Sequence, residues 1–454
     1  MKVRKCFNMM KKVNCLNVEL FGVAFFSTMP IVGIPVLNRY ISIFEICFFV
    51  FLLNLSIMVL GGRTEMRFSN GKIALTAFLI WNIISSCVGM LTLPSEWHGT
   101  IISYSIKSIQ YIVLIVLVSL NQKSIDPEKF FKGLILGCQA NAIWAIAEGV
   151  SYNFFNFRLN DSVFAAYTSS LDRSTLIVTQ YGIRASGFNY DPAHLGGILP
   201  ILIAYAACRK KIVTLCIGAI ALAFSQSSTA LVGCVVCTSI ICVWAIRKNA
   251  FRRTRTRKNL ILITKKLAIG VFGVILVLTL WSSFSATVSE LISFARDNLA
   301  GFFDRFWNVY VKGGSTSLRG LYYNNFIYEL INKGPFKALT GTGIGTSGYA
   351  YYSYPGVAVQ GVFDVESVYI SYAFGTGLIG LFLYIYVLAS LAITELKSDL
   401  IEWTPMRCAL FSVSVCGVFY HYTLTAYQIL ILAFSLLAVE NRKLIVEKLR
   451  EKEV

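Results

Sequence analysis

The sequence carries little charge, and this shortage excludes an ordinary soluble domain. Only 14% of its 454 residues are Asp, Glu, Lys or Arg, whereas soluble globular proteins carry about a quarter. The apolar residues, 56% of the chain, form unbroken runs of about 20 residues, which is the length of a transmembrane helix. Because barrel strands would alternate apolar and polar residues, these runs predict an all-α polytopic membrane protein and not a barrel.

Acidic residues are especially scarce, since 23 Asp and Glu stand against 41 Lys and Arg, for a net charge of +18. Such an excess indicates nucleic-acid binding when it forms a basic face on a soluble domain. Here the Lys and Arg residues lie in short clusters between apolar runs, as they do in the cytoplasmic loops of membrane proteins. The charge therefore predicts contact with membrane lipids and no nucleic-acid partner.

Histidine is rare, and the three residues His98, His194 and His421 are too far apart in the sequence to suggest a metal site. The 12 cysteines lie in or beside apolar runs and are absent from the long segments predicted to lie outside the cytoplasm. This distribution argues against a disulfide framework. The chain also lacks a P-loop and a nucleophile elbow. We therefore expect neither a metal nor another cofactor.

The apolar runs predict about twelve spanning helices in a single transmembrane domain, 1–454. An even number places both termini on one side, and the basic connecting segments indicate that this side is the cytoplasm. Within 192–246, the polar step Ser225–Thr229 is either a break inside one bent passage or a tight outside turn. The predicted spans are 15–37, 40–60, 73–92, 100–120, 132–150, 192–208, 212–227, 229–246, 267–286, 366–393, 407–421 and 424–440.

Two long loops remain outside the cytoplasm, at 151–191 and 287–365. Long loops are uncommon unless they have a function, so we expect both to contribute to the site. In the second loop, an apolar stripe predicts an amphipathic helix at Ser317–Lys333, which Gly334-Pro335 ends. The run Gly341–Gly348 follows no strand, so it predicts a hinge or a close backbone approach to a ligand and not a dinucleotide site.

Cations in these loops are the first candidates for a functional site. Arg319 lies in the first turn of the predicted helix, where free N–H groups and a partial positive charge favour phosphate. Arg184 opens a compact segment that also holds Asp191 and His194, two groups able to accept a proton. Asp191 is alternatively an ordinary helix N-terminal carboxylate. Further candidates for binding an anionic substrate are Arg158 and Arg173.

Lys107 is a charge inside the fourth span, and ionisable groups in membranes mark functional sites or ion pairs. Glu45 and Glu148 lie at similar predicted depth and are the expected partners. Two interpretations stay open, a structural ion pair and a substrate-binding site for pyrophosphate or a proton.

The end of the second loop holds the remaining candidates. Glu366 is a candidate catalytic carboxylate that could deprotonate an attacking hydroxyl, and Asp364 could contact the substrate. Either carboxylate could instead favour a helix N-terminus. Tyr352 belongs to a tyrosine cluster that suits stacking on sugar faces or, equally, the aromatic belt at the membrane interface.

The pattern resembles the O-antigen polymerases of the Wzy type, within the O-antigen ligase and polymerase superfamily. Five motifs between Arg184 and Leu391 carry the resemblance. They are Arg184-x-x-Gly187-Phe188-x-x-Asp191-Pro192, the Ser225–Thr229 step, Ser317-x-Arg319, the Leu339–Gly345 glycine turn, and Glu366-Ser-Val-Tyr369-Ile before Gly375-x-Gly377-Leu-Ile-Gly380.

The resemblance implies a helical, metal-independent glycosyltransferase of GT-C type at the periplasmic face of the bacterial inner membrane. Its donor would be a glycan on undecaprenyl pyrophosphate, its acceptor a repeat unit on the same lipid, and a chain-length regulator would be a partner protein. The family's essential arginines map onto Arg184 and Arg319, which would bind the pyrophosphate and stabilise it as leaving group. The general base stays open.

Two other functions are compatible with the sequence. A ligase would transfer the finished glycan to lipid A-core, but the His typical of the ligase's large loop is absent from 287–365. A flippase for the lipid-linked unit should have short loops and cations within its spans. Lys107 favours the flippase, whereas the long second loop does not.

Overall fold

Helices make up 82% of the residues that the computed structural model describes, which confirms the all-α polytopic membrane fold. Within the described residues, six helices are long and apolar enough to span a membrane, and four shorter apolar helices accompany them. The structure describes residues 15–36, 39–61, 68–165, 177–179, 182–189, 191–227, 230–240, 328, 330–348, 367–397, 404–419 and 425–453.

The described elements follow the predicted order of spans along the chain. Two short antiparallel hairpins, β1–β2 and β3–β4, interrupt the series of helices. The elements are α1 Cys15–Phe26, β1 Gly33–Val36, β2 Arg39–Ser42, α2 Ile43–Leu60, α3 Asn70–Thr92, α4 His98–Leu120, α5 Pro127–Phe155, α6 Leu159–Val163, β3 Ile177–Thr179, β4 Gly182–Arg184, α7 Pro192–Arg209, α8 Ile212–Ser225, α9 Ala230–Ile240, α10 Pro335–Thr340, α11 Val368–Gly375, α12 Gly377–Lys397, α13 Thr404–Phe419 and α14 Ala426–Glu453.

Local sequence explains where these helices begin and end. Ser42 and Glu45 form a reciprocal capping box at the start of α2. Asp126 and Asp191 cap α5 and α7, each followed by a proline in the first helical turn. Helix α8 ends at Ser225, and its C-cap residue Gln226 has a left-handed φ of 45°.

Two predicted spans need correction. The span 15–37 ends as a helix at Phe26, and its second half forms the β1 strand of a hairpin. Pro30 and Pro35 explain this, because proline cannot continue a helix ladder. The span 366–393 is two helices, α11 and α12, separated at Thr376, because Gly377 adopts a φ of 66° that turns the chain.

At the polar step Ser225–Thr229 the helix is interrupted, because α8 ends at Ser225 and α9 begins at Ala230. The described residues of the step, Ser225 to Ser227, are buried. The predicted helix Ser317–Lys333 has helical residues at 330–332, and the chain re-enters a helix at Pro335 after Gly334. The rest of that helix and the predicted span 267–286 lie outside the described residues.

Helix α14 lies at the centre of the bundle, where its residues from Ile429 to Ala438 are buried. Phe434 stacks on Phe130 of α5 with 4.5 Å between ring centroids, and it also contacts Phe51 of α2. The first-half and second-half helices therefore share one apolar core.

The basic ends of the helices meet at one end of this bundle. Lys72 at the start of α3 forms an ion pair with Glu440 of α14. At the end of α12, Glu395 pairs with Arg407 of α13 and Arg442 of α14. We call this the basic end, and the opposite end, where α4, α7 and α14 begin, the site end.

Candidate functional site

A cavity of about 710 Å³ opens at the site end of the bundle. Its walls come from α1, the β1–β2 hairpin, α2, α4, the start of α7 and the start of α14. The lining residues are Phe26, Ser27, Pro30, Tyr40, Ser42, Phe44, Glu45, Phe48, Phe49, Leu52, Lys107, Ile109, Gln110, Tyr111, Val113, Asn189, His194, Thr425, Ala426 and Tyr427. The cavity thus combines a phenylalanine-rich wall with a few polar and charged groups, as ligand sites commonly do.

Two residues predicted from separate parts of the sequence meet in this cavity. Lys107 reaches it from α4, and His194 reaches it from the first turn of α7. His194 is only 4% exposed, and its backbone N–H donates to the carbonyl of Asp191 at 3.1 Å. The structure therefore places a cation and an imidazole in one cavity, although the two residues lie far apart in the sequence.

The segment from Arg184 to His194 runs between the cavity and helix α8. At its start, the N–H of Ala185 donates to the carbonyl of Phe224 at 2.9 Å, so Arg184 lies beside the end of α8. At its end, Asn189 and His194 line the cavity. This polar segment is thus the connection between the cavity and the second half of the chain.

Buried side chains of α5 fix the middle of the segment. Glu148 accepts hydrogen bonds from the backbone N–H groups of Ser186 and Gly187, both at 2.9 Å. The side-chain oxygen Oδ1 of Asn141 accepts from the Phe188 N–H at 3.0 Å and from the Asn189 side-chain amide at 2.9 Å. With every residue from 186 to 189 held, the direction of the Asn189 side chain is set by α5.

Asp191 has a visible structural role, because its carboxylate accepts from the N–H of Ala193 at 2.6 Å and caps α7. This contact agrees with the interpretation of Asp191 as an ordinary carboxylate at a helix N-terminus. The contact leaves its predicted catalytic role untested.

Lys107 forms no close ion pair with a described residue, although it interacts electrostatically with Glu45, one of its two expected partners. Its Nζ lies 5.0 Å from the centroid of the Tyr104 ring, and no described carboxylate is within 4.0 Å of it. Glu148 binds Ser186 and Gly187 instead, and Glu45 lines the cavity while accepting from the Ser42 N–H at 2.9 Å.

The other predicted residues are spread more widely. Arg158 is exposed and its Nη1 lies 4.0 Å from Asp161 Oδ2, within the same short segment. The rest lie outside the described residues, and they are Arg173, Arg319, Tyr352, Asp364 and Glu366.

The glycine run Gly341–Gly348 makes close backbone contacts with the protein itself. The N–H groups of Thr342 and Gly343 donate to the carbonyl of Gly375, at 3.0 and 2.6 Å. The Ile344 N–H donates to Asn82 of α3 at 3.1 Å. All eight residues of the run are buried, so this part of the second loop is a packed re-entrant turn against α3, α4 and α11.

Sequence reasoning missed the polar residues that complete the cavity, among them Tyr40, Gln110, Asn189 and Tyr427. Gln110 carried a usable signal, because it follows Lys107 by three residues and so shares its helix face. A search of the described residues for three His, Cys, Asp or Glu side chains placed to bind a metal ion finds no such group.

The fold and cavity define a polytopic helical membrane protein with an amphipathic site at one end. Residues 213–385 match the model of the O-antigen ligase family, which confirms the resemblance to the O-antigen ligase and polymerase superfamily. The family implies a membrane enzyme that transfers glycosyl groups. No curated protein matches the chain.

Proposed function

We propose that this protein is an O-antigen polymerase of the bacterial inner membrane. It would join oligosaccharide repeat units carried on undecaprenyl pyrophosphate at the periplasmic face, with both termini in the cytoplasm. One observation carries the proposal, namely that the Arg184–His194 segment connects the family-matched stretch, 213–385, to an amphipathic cavity. A lipid-linked sugar has the same amphipathic character as that cavity.

The reaction requires four changes that the proposed residues can support. The bond between the donor's anomeric carbon and a pyrophosphate oxygen breaks, and the acceptor hydroxyl oxygen forms a new bond to that carbon. The leaving undecaprenyl pyrophosphate takes the electron pair, and the hydroxyl proton passes to a base. Preorganised cations stabilise the developing charge, which is the role we assign to Arg184 and Arg319.

Three groups are candidates for the base: Asp191, His194 and Glu366. His194 is the best placed of those that the structure describes, because it lines the cavity next to Asn189. An imidazole can also accept and release a proton in general acid–base catalysis. We place the acceptor hydroxyl at this end of the cavity.

Polymerase is favoured over ligase by the composition of the second loop, since 287–365 contains no histidine. A flippase draws support from the charge of Lys107 within a span. A ligase and a flippase would each give different products from a polymerase, so one experiment can distinguish the three functions.

The decisive test supplies the purified chain in detergent with a lipid-linked repeat unit as the only substrate. We expect oligomers of the unit and free undecaprenyl pyrophosphate, because detergent removes leaflets and with them any purely transporting activity. Formation of glycan only when lipid A-core is added would identify a ligase. No product in either reaction, with uptake of the lipid-linked unit across vesicles, would identify a flippase.

Variants of the two arginines test the mechanism. Arg184→Ala and Arg319→Ala should each lower the turnover by at least about 100-fold, comparable to the loss of one charge-stabilising donor. Cells carrying either variant should display single-repeat surface sugar. Normal long-chain polymer from both variants would refute the two assignments.

A further inference from the structure

Two cysteines that lie far apart in the sequence meet at the basic end of the bundle. Cys208 lies in the last turn of α7, before Arg209, and Cys408 lies near the start of α13, after Arg407. The two helices pack against each other, and a hydrogen bond joins the two thiol groups. Both cysteines are free thiols. The fold therefore holds two sulfur atoms in contact without a covalent bond between them.

The two thiols differ in their exposure to solvent. Cys408 is fully buried in a small apolar cluster with Ala204, Cys237 and Phe411. Cys208 packs against this cluster and is only partly buried. A water-soluble reagent at the basic end can therefore reach the sulfur of Cys208, whereas Cys408 presents no surface to it.

Two arginines give Cys208 charged surroundings. Arg209 and Arg407 both interact electrostatically with the Cys208 thiol. Arg209 is exposed, whereas Arg407 is buried and its Nε also donates to Glu395 at 3.0 Å. Cations beside an accessible sulfur, with a second thiol within reach, are typical of cysteines that oxidants attack first. Cys208 has these surroundings, and Cys408 is placed to react with it next.

The C-x-x-C pair of α9 lacks this combination of contact and access. Cys234 and Cys237 are close in the sequence, but their exposures are only 7% and 0%. Spacing along the chain would have selected these two cysteines. Contact and exposure in the structure instead select Cys208 and Cys408.

We propose that Cys208 and Cys408 form a modification site for hydroperoxides, which convert the two thiols to a disulfide between α7 and α13. With hydrogen peroxide, the Cys208 sulfur attacks one oxygen, so an S–O bond forms and the O–O bond breaks. The leaving hydroxide takes the thiol proton and becomes water. The Cys408 sulfur then attacks the Cys208 sulfenic acid, which forms the S–S bond and releases the hydroxyl group and the Cys408 proton as a second water. The thiols are oxidised by two electrons, and the peroxide is reduced by two.

The proposal rests on the contacts of the two thiols alone, so it stands whether or not the chain is a polymerase. The site lies at the end of the bundle that the charge pattern assigns to the cytoplasm. Helix α7 carries His194 in its first turn and Cys208 in its last. The disulfide would therefore attach α13 to the end of α7 opposite the cavity.

The first experiment maps the bond. The purified full chain in detergent is treated with hydrogen peroxide, its remaining thiols are blocked with N-ethylmaleimide, and the non-reduced peptides are analysed by mass spectrometry. We expect the main disulfide to join Cys208 to Cys408 and to disappear with dithiothreitol. A bond between Cys408 and Cys237 instead, or sulfonic acid at Cys208 without any disulfide, would overturn the proposal.

Serine variants assign the two roles. In Cys408→Ser the Cys208 sulfenic acid has no thiol to react with, so dimedone, which labels sulfenic acids, should label Cys208 several times more strongly than in the original chain. In Cys208→Ser, dimedone should leave the buried Cys408 unlabelled. Cys216→Ser, at an exposed cysteine of α8, is the control and should form the disulfide like the original chain. Equal labelling of Cys208 with and without Cys408 would refute the role of Cys408.

Thermal unfolding in detergent gives an independent measurement. A bond between residues far apart in the sequence restricts the unfolded chain, so peroxide should raise the unfolding temperature of the original chain and of Cys216→Ser. It should not raise that of Cys208→Ser or Cys408→Ser. The same change in all four chains would show that no bond joins α7 to α13. If a serine variant does not fold, the peptide map of the original chain still decides.

Discussion

At the scale of single residues, Glu148 shows how a buried carboxylate can be held without a cation. It is 1% exposed, and the two N–H groups that it accepts come from consecutive residues, Ser186 and Gly187. Consecutive N–H groups with one left-handed residue, here Gly187 at φ 64°, form a concave anion site. The carboxylate of α5 thereby fixes the segment between Arg184 and Asn189.

Replacing Glu148 should therefore damage both stability and activity. In Glu148→Ala two buried N–H groups lose their acceptor, and each costs about 1–3 kcal/mol. In Glu148→Gln the amide oxygen can still accept, so the loss should be smaller. Thermal unfolding in detergent and the chain-length profile measure the two effects.

The matched control for Glu148 is Glu128 on the same helix. Glu128 is 55% exposed and pairs with Lys132 at 2.9 Å, so Glu128→Ala and Glu128→Gln should change unfolding by less than about 0.5 kcal/mol. Equal effects at positions 148 and 128 would contradict the anchoring role of Glu148.

The sequence predicted which residues carry unusual chemistry better than it predicted their partners. Lys107 and His194 were identifiable from type and position, and the cavity joins them. The Lys107–Glu148 pairing was wrong, because position along a span gives depth but not the direction in which the side chain points. Asn141 and Asn189 carried no distinctive pattern, since their role comes from a contact across 48 residues.

At the scale of elements, the run Gly341–Gly348 shows why glycine is required at particular positions. Gly341 has a φ of 71°, and a Cβ there would lie 2.3 Å from the Gly375 carbonyl oxygen and 2.5 Å from the Gly377 backbone nitrogen. Backbone atoms at that distance cannot move aside cheaply. The turn can therefore pack against the break between α11 and α12 only without a side chain.

Three alanine substitutions separate conformational strain from collision. Gly341→Ala should suffer both, with about 1–2 kcal/mol from the left-handed backbone and a further 1–3 kcal/mol, roughly, from overpacking. Gly334→Ala should suffer the first alone, because its φ is 83° and nothing lies within 4 Å. Gly99→Ala, also in open space, should be near neutral or slightly stabilising. The order of unfolding temperatures in detergent checks this, and equal values for Gly341→Ala and Gly334→Ala would contradict the packing.

Hydropathy predicted most helices because the bilayer demands long apolar runs, and α3, α4 and α7 begin and end close to their predicted spans. It did not predict the β1–β2 hairpin or the break at Thr376. Both stretches are apolar enough to resemble spans. The hairpin depends on its prolines, and the break at Thr376 depends on the carbonyl of Gly375, which accepts two N–H groups from another loop.

At the scale of the whole molecule, ion pairs at the basic end connect helices from both halves of the chain. Glu395 is fully buried and pairs with Arg407 and Arg442, while Lys72 pairs with Glu440. All three cations come from segments that the charge pattern assigned to the cytoplasm. Their meeting at one end agrees with the predicted order of spans, since an odd miscount between Lys72 and Arg442 would separate them.

The orientation of this bundle in the membrane is the final prediction. Positively charged connections stay in the cytoplasm, so Lys210, between α7 and α8, should face inside, and Ser95, before α4, should face the periplasm. In spheroplasts, a membrane-impermeant maleimide should label Ser95→Cys above the background of the parent chain and leave Lys210→Cys unlabelled. Both positions are exposed, so both should react once the membrane is solubilised. Labelling of Lys210→Cys alone in intact spheroplasts would invert the topology and place the cavity, with His194 and Lys107, on the cytoplasmic side, which is incompatible with polymerisation at the periplasmic face.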